Sequence, residues 1–175
     1  MAQDLLAAVP SLRAFAISLS GNVDRADDLV QETLVRAIEN HDKFRPGTSL
    51  NAWLFTILRN LFHSEYRKRR REVEDPENLH VGRLASQPEQ NGFMDMQDFR
   101  AALASIPPDQ REALLLVGAS GFSYDEAAHI CGCAVGTIKS RVNRARVRLA
   151  ELLSLRHAAD LGPDRTVQAA LRDAV

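Results

Sequence analysis

Residues 122–149 constrain the fold more than any other stretch, because a helix start, a glycine stop and a second helical stripe follow one another without a gap. Ser123 stands three places before Glu126, the spacing of a capping box, so a helix is predicted to begin there. Gly132 supplies backbone that turns left-handed at low cost where that helix must stop. Ala134, Ile138, Val142, Ala145 and Leu149 then recur three and four apart, which places them on one buried stripe of a longer helix. The other faces of that helix are cationic: Lys139, Arg141, Arg144, Arg146 and Arg148 have no acid among them, and Thr137, Ser140 and Asn143 add short polar groups near its start. A short helix, a glycine turn and a longer basic helix form the layout of a helix-turn-helix, whose second helix enters a major groove. A solvated hairpin with a basic face would account for the charge alone. DNA binding accounts for the cap, the turn, the stripe and the polar start together.

The same helical period runs through the first part of the chain. Leu12, Phe15, Ala16 and Leu19 are spaced for one helix face within residues 5–20, which Gly21-Asn22 ends. Asn22 or Asp24 caps the next helix, predicted to run to about Asn40 with Ala26, Leu29, Val30, Leu34, Ala37 and Ile38 facing the core. Asp24, Asp27 and Asp28 crowd its first turn, where the helix dipole favours negative charge. Its outer face carries Asp28, Gln31, Glu32 and Arg36, an ordinary solvated face on its own terms. After the turn Phe44-Arg45-Pro46-Gly47, Ser49 caps a helix whose Leu50, Trp53, Leu54, Ile57, Leu58 and Leu61 repeat at near-ideal helical period. That helix continues through Phe62 and Tyr66 into the run Arg67-Lys68-Arg69-Arg70-Arg71. Two readings of the run stand level: a solvated C-terminus complementing the dipole, or a phosphate-binding surface beside Asn60, His63 and Tyr66.

From Glu72 to Gln97 the periodicity collapses into acids with scattered proline, glycine and serine, which reads as a flexible acidic linker. Helical pattern resumes at Phe99, Leu103 and Ile106, and Pro107-Pro108-Asp109 opens a further helix through Arg111, Leu114, Leu115 and Val117, ended by residues 118–121. The chain is therefore expected to be all-α, with small helical domains at residues 1–72 and 98–155, the linker at 73–97 and a tail at 156–175. Within the tail, residues 166–175 read as a short amphipathic helix or a frayed end. The formal net charge of -1 conceals this segregation of acidic and basic blocks, which implies more than one kind of partner.

Composition and spacing also speak against other classes. No basic leader is read at the start, and the longest apolar runs are far too short to cross a bilayer, so a cytoplasmic location and no membrane partner are expected. The 2 cysteines, Cys131 and Cys133, are one residue apart, which suits neither a disulfide nor a zinc CxxC; they read as small residues at a helix turn. The 5 histidines have no metal-ligand spacing, so no metal and no cofactor are expected. A phosphate-binding loop needs glycine directly before lysine, and here Thr137-Ile138 separate Gly136 from Lys139. No serine or cysteine lies in a nucleophile elbow, and an enzyme is not expected.

The order of motifs carries a resemblance. Asp27-Asp28-Leu29-Val30-Gln31-Glu32-Thr33, then Phe44 with Trp53-Leu54-Phe55-Thr56-Ile57-Leu58-Arg59-Asn60, then Ile106-Pro107-Pro108-Asp109-Gln110-Arg111-Glu112, and finally Val135-Gly136-Thr137-Ile138-Lys139-Ser140-Arg141 resemble an extracytoplasmic-function sigma factor. Glu65-Tyr66-Arg67-Lys68-Arg69-Arg70-Arg71-Glu72 and Val117-Gly118-Ala119-Ser120-Gly121-Phe122-Ser123-Tyr124 are similar to its alphaproteobacterial general-stress-response branch. The resemblance implies that residues 1–72 are sigma region 2 and residues 98–155 sigma region 4. It implies that Asp28, Gln31 and Glu32 contact core RNA polymerase. It places a flipped base of the minus-ten element at Phe44 and Asn60, with Arg67, Lys68 and Arg70 near the backbone; an asparagine amide and an aromatic wall suit an unpaired base. Minus-thirty-five recognition falls to Lys139, Ser140, Arg141 and Arg144, with Thr137 and Arg148 on the same helix. Promoter DNA, core polymerase and an anti-sigma factor are the implied partners, and the linker is expected to thread the RNA-exit path. Chemistry would belong to the polymerase.

Two other functions fit parts of the chain. A sigma-like mimic that sequesters an anti-sigma factor would be expected to carry a receiver domain, which is not read here, and would have little reason to keep both basic blocks. A stand-alone helix-turn-helix regulator would leave Asp28, Gln31, Glu32 and the Trp53 helix without a role.

Overall fold

The computed structural model describes residues 2–72 and 92–153, and every regular element among them is helical. Two compact units make up the chain, Met1–Ser86 with Asp125–Cys133, and Gln87–Tyr124 with Ala134–Val175. Residues 73–91, read as most of the linker, and the tail from 156 onward lie outside the described residues.

In the first unit α1 (Ala2–Ser20), α2 (Val23–Glu39) and α3 (Leu50–Glu72) each pack on the other two. Gly21 ends α1 with φ 65, a left-handed conformation that suits glycine. Asn22 caps α2, its side-chain oxygen accepting from the backbone N–H of Arg25 at 2.9 Å. Phe44 follows a short 3-10 turn at His41–Lys43. Ser49 caps α3 by accepting from the Ala52 N–H at 3.2 Å. The core gathers Leu12, Phe15, Leu29, Leu54, Phe55 and Leu58, with the Phe15 and Phe55 rings 5.0 Å apart at 37°. Arg13 grips Asp27 through both carboxylate oxygens, at 2.6 and 3.2 Å, and ties α1 to α2. The hydrogen bond from Arg13 holds the Asp27 carboxyl below its ordinary pKa. Arg25 ties α2 to α3, with its guanidinium 5.2 Å from the Phe62 ring centre and 3.4 Å from Glu65.

Two residues of α2 differ from expectation. Ile38, expected in the core, is 60% exposed, while Thr33 is fully buried. At about 100° per residue Ile38 lies about 120° round from Ala26, whereas Thr33 lies within about 20° of it. The Thr33 hydroxyl donates to the Leu29 carbonyl at 2.7 Å, so a polar side chain is buried without an unmet hydrogen bond.

In the second unit α4 (Gly92–Ala104) and α5 (Pro108–Leu114) both contact α7 (Val135–Leu152). α4 begins inside the stretch read as linker, because Phe93, Met96, Phe99 and Leu103 already recur three and four apart there despite the neighbouring acids. Phe99 itself is 36% exposed, and Leu103 and Ile106 are the buried positions. Pro108 occupies the first turn of α5, where its missing N–H costs nothing. Arg111 then donates to the Ala104 carbonyl at 3.3 Å, closing the turn from α4, and its burial lowers the guanidinium pKa. α5 widens into a π turn, Leu115–Ala119, marked by Ser120 N–H to Leu115 O at 2.9 Å. The extra residue in that turn lets Leu115, Leu116 and Val117 all be buried in succession.

Candidate functional site

α6 (Tyr124–Cys131) starts directly after Ser123, as its capping-box spacing predicts. It stops where Gly132 takes φ 62 and the Cys133 N–H reaches back to the Ala128 carbonyl at 3.1 Å. Ala134 is extended and α7 begins one residue later, so the helix, the glycine turn and the second helix follow in the expected order. Cys131 is buried and Cys133 half-buried, and neither is in a disulfide.

On α7, Ile138, Val142, Ala145 and Leu149 are buried, and the rest of the circumference carries the charge. At about 100° per residue, Thr137, Arg141, Arg144 and Arg148 fall within about 60° of one another, with Ser140 at the edge of that flank. Thr137, Arg144 and Arg148 are exposed and Ser140 is half-buried. Arg141 is held from α5, its Nε 3.1 Å from the Asp109 carboxylate. Lys139 is not on that flank: it lies about 140° round the helix from Arg144. Its ammonium sits 5.9 Å from the centre of the Tyr124 ring. A shallow groove beside the Arg144 flank is walled by Ser105, Pro107 and Gln110 opposite Val147 and Arg148.

α3 carries a second surface. Trp53, Asn60 and Arg67 are each seven residues apart, so they lie along one side of the helix over about 21 Å. Phe44 packs on Trp53 with ring centres 5.3 Å apart at 42°, which fixes an aromatic wall at one end of that line. Asn60, Arg67 and Lys68 are exposed, as the resemblance requires of nucleic-acid contacts. The side chain of Arg70 lies outside the described residues. Tyr66 is 51% exposed and stacks 6.5 Å from Phe62.

The third surface is a groove in which Asp28, Gln31 and Glu32 of α2 face Leu61, Ser64 and Glu65 of α3. Glu32 pairs with Arg36 at 2.7 Å, a pair exposed on both sides and therefore weak. Val35 is 48% exposed on the same wall. Sequence reasoning passed over Val35, read Leu61 only as core and Glu65 only as part of a motif; the available signal was that Val35 stands seven residues after Asp28. Among the described residues no group of acidic, histidine or cysteine side chains could hold a metal ion. Among those residues, too, no helix is long and apolar enough to cross a membrane.

Comparison with known proteins places the chain in a family. Residues 6–72 match Sigma-70 region 2, and residues 96–149 match Sigma-70, region 4. The chain is 68% identical over 168 residues to the ECF RNA polymerase sigma factor EcfG of Rhodopseudomonas palustris (strain TIE-1), covering 96% of this chain and 93% of that protein. Its fold is similar to that of the sigma factor RpoE solved in complex with the anti-sigma factor NepR from Bartonella quintana. That likeness has a TM-score of 0.81 and 57% identity, over 89% of this chain and 97% of RpoE. CnrH, solved in complex with the cytosolic domain of CnrY, is similar at a TM-score of 0.68 and 27% identity, over 87% of this chain and 86% of CnrH.

Proposed function

The chain belongs to the extracytoplasmic-function sigma factors of the sigma-70 family, and on that premise we propose how its surfaces divide the work of promoter recognition. As a sigma factor of the EcfG kind it binds core RNA polymerase and directs promoter-specific initiation in the general stress response. Residues 1–72 act as region 2 and residues 98–155 as region 4. The α2 groove at Asp28, Gln31 and Glu32 receives polymerase. Phe44 and Asn60 hold a base that has left the stack of the minus-ten element, while Arg67, Lys68 and Arg70 follow the strand. Thr137, Ser140, Arg144 and Arg148 meet the minus-thirty-five duplex, with Arg141 beside them and Lys139 approaching from the other flank.

The alignment of Trp53, Asn60 and Arg67 on one side of α3, with Phe44 packed at its end, carries this reading best. At about 3.4 Å per nucleotide of one strand, that side is long enough for roughly six steps, so one rigid helix can hold a base and the backbone beyond it. The chain acts in the cytoplasm and performs no bond chemistry itself; phosphodiester synthesis is the polymerase's. RpoE is bound by NepR, and a regulator of that kind is the anti-sigma partner this chain fits. Covering the α2 groove would exclude polymerase without touching the DNA-reading side chains.

In vitro transcription with core polymerase tests the whole reading. Initiation from a stress-response promoter only when the chain is added is the expected result. A chain that binds an anti-sigma protein yet supports no initiation would instead be a mimic, and one that binds operator DNA tightly without polymerase would be a stand-alone regulator.

A further inference from the structure

Two contacts on the basic flank of α7 work against phosphate binding: Arg148 pairs within its own helix with Glu151 at 3.4 Å, and Arg141 is held from another helix. Arg141 shares that flank with Thr137, Arg144 and Arg148, yet its Nε lies 3.1 Å from a carboxylate oxygen of Asp109, which reaches it from the first turn of α5. The Asp109 side chain is 52% exposed and that of Arg141 25% exposed, so the carboxylate stands at the surface of the cationic flank. With its carboxylate half in solvent the pair is screened and holds its partners by roughly fivefold. It is weak enough for a DNA phosphate to displace Asp109 from Arg141. Until then the carboxylate opposes any phosphate that approaches.

We propose that Asp109 is a specificity-determining residue of duplex recognition: by occupying Arg141 it suppresses phosphate contacts that carry no sequence information. This rests on the reading of α7 as the duplex-reading helix. Phosphate contacts raise affinity for every sequence alike, whereas base contacts separate one sequence from another. A carboxylate that cancels one phosphate contact therefore lowers binding to scrambled DNA. Binding to the matched element loses less, since docking by base contacts brings Arg141 close enough to exchange its partner.

Asp109→Asn tests this with little change of shape. Holoenzyme carrying the wild-type chain or the variant is titrated with promoter fragments whose upstream element is matched or scrambled, across a salt series. One additional phosphate contact makes the logarithmic salt slope on scrambled DNA steeper by about 0.9, which is a change of roughly 3.5-fold in affinity ratio over a fourfold range of salt. Discrimination between matched and scrambled fragments should fall by a similar factor. In an Arg141→Met background, Asp109→Asn should change neither quantity, because the restrained cation is gone. Unaltered scrambled binding in Asp109→Asn overturns the proposal, as does loss of matched binding alone or a slope change that persists beside Arg141→Met. Arg144→Ala serves as the separate control: if it leaves discrimination intact, the duplex-reading assignment of α7 fails, whereas normal loss in Arg144→Ala with no effect of Asp109→Asn refutes only the role of Asp109. Thermal melting of each variant shows that the fold is retained.

Discussion

Asn60→Ala separates a DNA role from a structural one by opposite signs. Asn60 is exposed on α3, so its truncation opens no cavity in the core. Alanine is the better helix former by up to about 0.7 kcal/mol, and exposed substitutions of this kind stay within about 0.5 kcal/mol. Melting of the first unit should therefore be unchanged or rise by about 2–4 °C, taking roughly 4–8 °C per kcal/mol for a unit of this size. Promoter opening should move the other way. Holding an extruded base leaves its edge to be satisfied by the protein, and removing the amide strands that edge at a cost of about 1–3 kcal/mol. That corresponds to roughly a 5-fold to 150-fold loss of open complex at equal holoenzyme concentration. Permanganate footprinting of the melted bases reads it directly, with closed-duplex binding measured in parallel. Normal opening by Asn60→Ala, or a loss confined to closed-duplex binding, would refute the reasoning.

The other surfaces invite simpler tests. Asp28→Ala combined with Gln31→Ala should weaken assembly with core polymerase while circular dichroism and melting stay as in the wild type; full affinity for polymerase would remove this groove from the interface. Phe55 is 1% exposed and packed on Phe15, so Phe55→Ala should cost about 3–5 kcal/mol in urea unfolding of the first unit. A loss below about 1 kcal/mol would mean that the core does not depend on this pair. The carboxyl of Asp27 has its pKa lowered by Arg13 in the fold, so their link contributes above the unfolded carboxylate pKa and fades as pH falls through the folded value. Asp27→Asn should therefore flatten the acid side of the melting profile and leave its alkaline side alone.

Much of the fold was legible because helical period and cap chemistry are local. Ser49 could be read as a cap from its place before an apolar repeat, and its bond to Ala52 follows from that place. Asn22 and Asp24 could not be told apart, since both side chains can accept from a helix N–H; only the backbone at Asn22, extended before the first turn, decides it. The π turn at Leu115–Ala119 had no signal in the sequence, because a hydrogen bond to the fifth residue back is chosen by packing and not by composition. Thr33 was missed for a related reason: a hydroxyl satisfied by its own helix behaves as a small apolar group. On α7 the cations were named without the side of the helix that each one takes. The resemblance assigns Lys139 and Arg144 the same task, yet counting residues around α7 already puts Lys139 on the other flank. Asp109 had no visible link to Arg141, as contacts between helices depend on how they pack.

The near-neutral charge of the whole chain bears on why the proposed surfaces would depend on polymerase. A formal net charge of -1 gives little long-range attraction to DNA, so encounter is not steered by the chain as a whole. What remains is local: an exposed flank on α7 with few free cations, and one side of α3 ending in Arg67 and Lys68. Each supports only a few phosphate contacts, and affinity built from a few such contacts is weak at physiological salt. Fixed on a common polymerase, the second surface binds as an intramolecular step, and linkage of that kind multiplies affinity by about 10²–10⁴ with no new contact. Weakness of the separate surfaces then serves discrimination. A promoter with only one element gains no linked step, and restraint of Arg141 by Asp109 keeps the α7 flank from making up the difference through phosphates alone.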